Sequence, residues 1–301
     1  MATYPTHGAH LRQRHPHRWL LVVIVVVAAL IGVGAWALVN HYTGGTSKTT
    51  TESTTVASTS VGNQYITALD KLDPSALTPI LAKNAVSIDW AMGGSPFHSA
   101  RTLEDNWAGV FAPQVSGDNH WRGSLRAVAP NWAAVTYQWH GTTNPLTYRP
   151  FKLNGLSILT IKHGKIVRET LYWDVPGRNP GVAGTVGSKF ATTLSAPHPG
   201  VTLGSLYSKD AIESDVGVTP SGPNANNLIW GRWGMPSLMP VHASLCCAGP
   251  SYRLDNGQMR KSWAVVNWVA RSSIHGDKLV SGISVLQLDK QGKIIRETMY
   301  Y

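Results

Sequence analysis

One stretch occurs twice in this chain and constrains its fold more than any other feature. The copies span residues 155–173 and 282–301, and ten of nineteen aligned positions are identical when the second copy is allowed one extra turn residue. In each copy apolar residues alternate on both sides of a turn that contains Gly164 or Gly292, the pattern of a β-hairpin. A duplicated closing hairpin predicts a duplicated domain.

Further matches between the two halves follow in the same order. Residues 61–69 match 186–194, residues 80–89 match 206–215, and residues 132–137 match 263–268. Collinear matches with small insertions between them are typical of tandem domains. We therefore predict domains at residues 61–176 and 186–301, joined by a linker at 177–185 that is rich in glycine and proline.

The N-terminal segment predicts a membrane anchor. Residues 19–39 contain no charged side chain, and about 20 apolar residues span a bilayer core. Three arginines precede this run and only Lys48 follows soon after it, which places the N-terminus in the cytoplasm. We assign residues 1–18 to a cytoplasmic tail, 19–40 to a transmembrane helix and 41–60 to a flexible Ser/Thr-rich tether. The alternative is a signal peptide cleaved near Ala35 and Ala37.

Composition limits the choice of partners. The net charge of +10 fits attraction to an anionic surface such as lipid headgroups, and equally fits ordinary solubility. No zinc-finger spacing, RNA-binding consensus or basic helix occurs, so we expect no nucleic-acid partner. Metal-binding and phosphate-binding motifs are missing as well, so no metal and no cofactor is predicted. The adjacent Cys246 and Cys247 are expected on opposite strand faces, with a strained vicinal disulfide as the alternative.

The order of elements in the first half predicts an α+β fold. Apolar spacing indicates a helix at 61–70, and Asp73 followed by proline opens a second helix that runs through Leu81. A third helix is expected at 101–111. Strands are expected at 120–129, 132–140, 153–162 and 165–174. Helices followed by hairpin-rich strands indicate an antiparallel sheet packed on N-terminal helices.

This order, with the closing Gly-Lys-Ile-x-Arg-Glu-Thr-x-Tyr strand, resembles the nuclear transport factor 2-like superfamily. Asp89-Trp90, the segment 101–107 and the segment 164–174 make the first half similar to the SnoaL-like polyketide cyclase branch. The second half is more divergent. The resemblance implies two cone-shaped domains, each a curved antiparallel sheet on helices around an apolar pocket. It also implies that the two domains pair through their sheets as an intramolecular pseudo-dimer.

The resemblance also implies where a site lies. In the first domain Asp174 is the candidate acid or base and Tyr172 the hydrogen-bond donor to an oxyanion, with Asp89 and His140 as further catalytic candidates. The candidate pocket residues are Trp90, Trp107, Trp139 and His98. Two of the candidates have a structural alternative. Asp174 would then lie at a strand end in contact with solvent, and Asp89 would hold a turn.

Two functions remain open at this point. The first is a non-catalytic binding or accessory module for an apolar small molecule or an envelope partner, in a bacterial-type single-pass membrane protein with its folded domains outside the cytoplasm. The alternative is an isomerase, cyclase or hydrolase acting through the first domain. The second half has no counterpart of Asp174, and the recurrent pairs Arg168-Glu169 and Arg296-Glu297 are interpreted as scaffold. Both points favour the binding module.

Overall fold

The computed structural model describes residues 48–91, 96–110, 119–142, 150–174, 179–196, 202–215, 238–249, 262–273 and 276–301. Residues 51–301 form one compact unit, which contains both predicted domains. The predicted cytoplasmic tail and transmembrane helix lie outside the described residues. Within those residues, no helix combines the length and the apolar character needed to cross a membrane.

Among its described residues, the first half contains two α-helices and six strands. In chain order these are α1 (Lys48–Asp70), a 3₁₀ helix (Pro74–Ile80), β1 (Leu81–Asp89), β2 (Pro96–His98), α2 (Ala100–Val110), β3 (His120–Ala129), β4 (Trp132–Gly141), β5 (Phe151–Lys162) and β6 (Lys165–Trp173). The second half contains α3 (Gly181–Leu194), a 3₁₀ turn (Gly204–Leu206), β7 (Tyr207–Asp215), β8 (Leu238–Gly249), β9 (Ser262–Ser272), β10 (Lys278–Leu288) and β11 (Ile294–Tyr300). The predicted α+β class is confirmed.

The two sheets share one topology. The first has the order β2-β1-β6-β5-β4-β3 and the second the order β7-β11-β10-β9-β8, so they agree once β2 is set aside. The prediction of fully antiparallel sheets was wrong, because β1 runs parallel to β6 and β7 runs parallel to β11. The registers agree as well: Ser87 lies opposite Glu169, and Glu213 lies opposite Glu297.

Local sequence signals located the hairpins well. The β5–β6 turn has positive φ at both His163 (50°) and Gly164 (71°), the backbone that a two-residue hairpin favours. In the second hairpin Gly292 takes a φ of 79°. Asp73 caps the 3₁₀ helix by accepting a hydrogen bond from the Ser75 amide, as its position before proline predicted.

Three boundaries differ from the sequence prediction. The helix expected to run through Leu81 ends at Ile80, and Leu81 begins β1, because parallel pairing with Ile166 holds it. Helix α1 begins at Lys48, so residues 48–60 are helical and not a flexible tether. Ser58 explains the extension: it is fully buried and its hydroxyl donates to the Pro130 carbonyl. Helix α3 begins at Gly181, inside the predicted linker.

Each sheet has a helix-covered face and an opposite face. Helices α1 and α2 cover the first sheet through a core that includes Tyr65, Leu69, Leu103 and Trp107. Helix α3 covers the second sheet in the same way, with Phe190 at the centre. A third cluster joins the opposite faces of both sheets and contains, among others, Ala91, Trp132, Leu156, Ile158, Tyr172, Cys247, Trp263, Val265, Ile283 and Val285. The layers therefore run helix, sheet, sheet, helix.

Contacts between the two sheets come in equivalent pairs. Tyr172 of the first half meets Trp263 of the second with ring centroids 5.2 Å apart. Trp132 meets Tyr300 at the same distance, 5.2 Å. By the sequence repeat Trp132 is equivalent to Trp263, and Tyr172 to Tyr300. Reciprocal contacts of this kind are the signature of an isologous interface with two-fold symmetry.

Candidate functional site

Glu169 is a fully buried acid of the first half, and its recurrence in the second half predicted a scaffold role. Strand alternation sends Glu169 to the helix-covered face and Arg168 and Tyr172 to the other. Its side chain is fully buried and accepts hydrogen bonds from the Tyr65 hydroxyl and from Ser87 Oγ, the latter at 3.1 Å. Tyr65 Oη also lies 2.9 Å from Ser157 Oγ. The acid therefore sits at the end of a hydrogen-bonded chain of hydroxyls.

Burial controls the ionisation of this cluster. Loss of hydration raises the pKa of Glu169 from 4.5 to about 7, against the opposing effect of hydrogen bonds from Tyr65, Ser87 and Trp107. The pKa of Tyr65 is raised well above its usual value, first by burial and then by the negative charge of Glu169. Glu169 thus titrates near neutral pH while Tyr65 stays protonated, which is the arrangement required for general acid–base chemistry.

Aromatic rings occupy the space around Glu169. Tyr65 makes edge contacts with Trp107 and with Trp121, each with ring centroids 6.4 Å apart. Trp121 lies against Tyr137 at 5.2 Å, and all four rings are at most 5% exposed. Interlocking rings of this size form a packed core around the carboxyl.

The second half rebuilds the same cluster from different positions. Glu297 is fully buried and accepts hydrogen bonds from the Tyr207 hydroxyl and from Ser284 Oγ. Ser284 is the repeat equivalent of Ser157, but Phe190 stands where the first half has Tyr65. The tyrosine instead comes from β7, at the position equivalent to Leu81. A hydroxyl donor to the buried glutamate is thus present in both halves, although its origin has moved from helix to strand.

A further carboxyl enters the second cluster. Glu213 is 2% exposed and lies opposite Glu297 on the neighbouring strand, where the first half has Ser87. The charges of Glu297 and Glu213, after burial itself, raise the pKa of Tyr207.

The predicted catalytic residue Asp174 lies at the inter-sheet face and not in the helix-covered core. Its carboxylate accepts hydrogen bonds from the Asn154 amide and side chain, each at 3.2 Å, and from the Ala248 amide of the second sheet at 3.1 Å. Burial raises the pKa of Asp174, and these three hydrogen bonds oppose the rise. Asp174 therefore links β6 of the first sheet to β8 of the second.

Tyr172 and Trp90 share the inter-sheet face with Asp174. Their rings are parallel within 2° with centroids 6.3 Å apart. Burial raises the pKa of Tyr172 strongly, followed by the influence of Tyr300. Because Tyr172 packs against Trp263 on its other side, it serves the contact between the sheets.

Asp89 is the last residue of β1 and directly precedes a turn at Trp90 and Ala91. It is 5% exposed and accepts hydrogen bonds from the Trp173 indole, at 2.9 and 3.0 Å, and from the Ala91 amide at 2.9 Å. Those bonds fix the end of β1 against the end of β6. Asp89 and Asp174 thus flank Trp173. Asp89 lies two residues after Ser87 on the same strand face, and its negative charge adds to the rise in the pKa of Glu169.

The remaining candidates are dispersed. His140 is exposed at the end of β4, with its ring 4.9 Å from that of His120. Trp139 is buried against Phe151 and Trp107 against Tyr65, both on the helix-covered face. His98 belongs to β2, and its side chain lies outside the described part of the structure.

A polar cleft of about 500 Å³ opens between the sheets. It is lined by Arg122, Gly123, Ser124, Arg126, Thr136, Tyr137, Gln138, Asn154, Ser244, Leu245, Cys246 and Asn267. Cys246 and Cys247 are free thiols, and both contact carbonyl groups of the first sheet, those of Gly155 and Tyr172. The expectation that they point to opposite faces was wrong, because a bulge between Leu245 and Cys247 breaks the alternation.

Comparison with known proteins identifies the fold of the first half. Residues 63–169 match the SnoaL-like domain family. The first half has a SnoaL-like fold. No curated protein matches the chain in sequence. The matched segment includes Glu169 and Tyr65 but ends before Asp174.

Solved structures with similar folds have low sequence identity. An NTF2-like protein of unknown function from Mesorhizobium loti is 13% identical over 40% of this chain and 93% of its own, with a TM-score of 0.35. A protein with a ketosteroid isomerase-like fold from Catenulispora acidiphila, in complex with trimethylamine, is 15% identical over 37% and 83%, with a TM-score of 0.32. A protein assigned as a SnoaL-like polyketide cyclase from Jannaschia is 9% identical over 40% and 86%, with a TM-score of 0.34.

Proposed function

We propose that this protein is a non-catalytic binding or accessory module, anchored in the membrane by residues 19–40 with its two halves outside the cytoplasm. The observation that carries the proposal is the packed helix-covered core of the first half. Trp107, Trp121 and Tyr137 are buried and pack on one another beside Tyr65, the hydroxyl donor to Glu169. The carboxyl is also engaged by Tyr65 and Ser87, so it holds the core together.

The position of Asp174 supports the same reading. A catalytic carboxyl needs a free oxygen within reach of the substrate proton. Both oxygens of Asp174 accept hydrogen bonds from backbone or side-chain amides of Asn154 and Ala248. Asp174 then acts as a bridge within an intramolecular pseudo-dimer, which the reciprocal pairs Tyr172–Trp263 and Trp132–Tyr300 also support.

Membrane anchoring rests on the sequence. The uncharged run at 19–39, the arginines before it and the tryptophans near its ends favour a single span with the N-terminus inside. A protease-accessibility experiment on intact and opened cells tests this orientation. We expect the folded part to be cleaved or labelled from outside the cell. Protection from external reagents would contradict it.

Native mass spectrometry of the full chain in detergent tests the binding role. We expect a bound small molecule or an envelope protein to co-purify and to be released on denaturation. A chain that carries neither, in preparations from several growth conditions, would remove the binding role.

A second candidate is acid–base catalysis at Glu169, and the near-neutral pKa of that carboxyl is what favours it. A model β,γ-unsaturated ketone supplies an assay, since its isomerisation needs one group to move a proton. Loss of turnover in Glu169→Gln with retention in Glu297→Gln would establish the enzyme. Absence of turnover in the unmodified chain would leave the binding module.

A further inference from the structure

We infer that the cleft between the two sheets is a binding site for a small hydroxylated anion, such as a sugar acid or a sugar phosphate. This inference rests on the proposed binding role and gives that role a location and a ligand class. It concerns the opposite side of each sheet from the buried glutamates. The cleft volume of about 500 Å³ lies in the range of small-molecule sites.

The cleft lies where equivalent residues of the two halves meet. Strand pairing makes β3 equivalent to β8 and β4 equivalent to β9, with a bulge at the same place in each edge strand. The lining contains three equivalent pairs, which are Ser124 with Ser244, Arg126 with Cys246, and Thr136 with Asn267. A lining built from such pairs places the cleft on the pseudo-two-fold axis.

Both sheets contribute polar residues to the cleft, but only the first sheet contributes arginines. Arg126 is the bulge residue of β3, and its Nε donates to Thr136 Oγ1 at 2.9 Å. That bond fixes the guanidinium stem at the cleft and leaves its terminal nitrogens for a ligand. The equivalent position in the second half is Cys246, whose short side chain lies against the Gly155 carbonyl and leaves the space open.

Arginine is the only charged residue type in the lining of the cleft, and the nearby Asp70 accepts a hydrogen bond from the Gly123 amide at 3.1 Å. Arg122 and Arg126 both line the cleft, and the lining contains no aspartate or glutamate. Across the described ranges the ion pair within 4 Å is that of Arg101 with Asp105, on α2. The nearby Asp174 is engaged by Asn154 and Ala248. Two guanidinium groups that share the lining with no carboxylate attract and orient a carboxylate or phosphate beside a concave polar surface.

Asn267 adds a requirement for a hydrogen-bond donor. Asn267 lines the cleft, and its Oδ1 is buried and accepts no hydrogen bond from the described residues. A buried acceptor without a partner is unfavourable, so a ligand that donates to it gains affinity. A hydroxyl group meets this requirement and an inorganic anion bound only by the arginines does not. The combination of Arg122, Arg126 and Asn267 therefore selects a hydroxylated anion.

Calorimetric titration of the full chain in detergent tests the site. The probes are glucuronate, glucose 6-phosphate, inorganic phosphate and the neutral methyl glucoside. We expect an anionic sugar to bind and the glucoside not to bind, and the two anionic sugars distinguish a carboxylate from a phosphate preference. Arg126→Gln is expected to weaken binding by about 10-fold or more, because a charge-assisted hydrogen bond is lost. Asn267→Leu is expected to weaken sugar binding more than phosphate binding.

Arg101→Gln is the matched control, since it removes one surface arginine away from the cleft, and near-UV circular dichroism checks that each variant is folded. The inference is overturned if no anionic sugar binds, or if Arg101→Gln weakens binding as much as Arg126→Gln. Different outcomes contradict the proposed binding role and the proposed binding site in the cleft. If a co-purified ligand stays bound in folded Arg126→Gln and Asn267→Leu variants, the binding role stands and the cleft is not its site.

Discussion

Glu169 and Glu297 show how a buried charge-bearing group is kept in two diverged halves. Each glutamate receives a hydrogen bond from a tyrosine, but Tyr65 comes from α1 and Tyr207 comes from β7. Two equivalent positions differ together between the halves. The second half has Phe190 at the position of Tyr65, and it has Tyr207 at the position of Leu81. Since a buried carboxyl without a donor is costly, loss of one hydroxyl is tolerated only where another replaces it.

This pairing makes Tyr65→Phe a direct test of the cluster. We expect the variant to lose about 1–3 kcal/mol of unfolding free energy, because Glu169 and Ser157 lose their shared partner. Adding Leu81→Tyr should recover part of the loss by rebuilding the arrangement of the second half. Denaturant titration near pH 7 measures both. A Tyr65→Phe variant as stable as the unmodified protein would show that the hydroxyl is unimportant.

The raised pKa of Glu169 predicts a pH dependence of stability. Between pH 4.5 and about 7 the folded protein holds a proton that the unfolded chain has lost, so the free energy of unfolding falls as pH rises through this window. A shift from 4.5 to about 7 corresponds to roughly 3 kcal/mol. Glu169→Gln should remove this part of the pH dependence. Ser87→Ala keeps the titrating group and should retain it; equal profiles in Glu169→Gln and the unmodified chain would contradict the assignment.

Glu169 also shows what the sequence hid at this scale. Its recurrence as Glu297 was visible, but the same recurrence fits a surface ion pair and a buried carboxyl. Strand alternation predicts that the side chains of Glu169 and Tyr172 lie on opposite faces of the sheet. Which of the two faces meets the helices depends on tertiary packing, which the alternation does not encode. Asp174 is a candidate acid or base through the family resemblance, and the structure gives that residue a partner, Ala248, that no local pattern encodes.

At the scale of elements, local signals were sufficient for most strands and insufficient for β1. The hairpin strands β3 to β6 are defined by alternation and by adjacent turns, and their predicted bounds differ from the observed ones by at most two residues. Strand β1 pairs in parallel with β6, which is distant in sequence, so its formation depends on a non-local partner. The same cause explains why a helix was expected to continue through Leu81.

Strands β4 and β5 depend on a glycine that makes room for an aromatic ring. A Cβ at Gly155 would lie 2.2 Å from Tyr137 Cζ, and one at Gly282 would lie 2.2 Å from Trp268 in the equivalent strands. We expect Gly155→Ala to cost about 1–3 kcal/mol by overpacking. Gly164→Ala is the comparison, because it meets no atom within 4 Å but has a φ of 71° and should cost about 1–2 kcal/mol through backbone strain alone. Thermal denaturation that shows no loss in Gly155→Ala would contradict the packing argument.

At the scale of the whole molecule, the contacts Tyr172–Trp263 and Trp132–Tyr300 between the two sheets predict that the halves unfold together. Trp263 belongs to the inter-sheet cluster and meets Tyr172 of the first half, whereas Trp268 lies in the helix-covered core of the second half alone. Truncating either to alanine should cost about 3–5 kcal/mol, because each leaves a large cavity. Their effects should differ in reach. In Trp263→Ala, backbone amides of β5 and β6 should lose protection from hydrogen exchange together with amides of the second sheet. In Trp268→Ala, the loss of protection should be found mainly in the second sheet. Loss confined to the second sheet in both variants would show that the halves are stable independently.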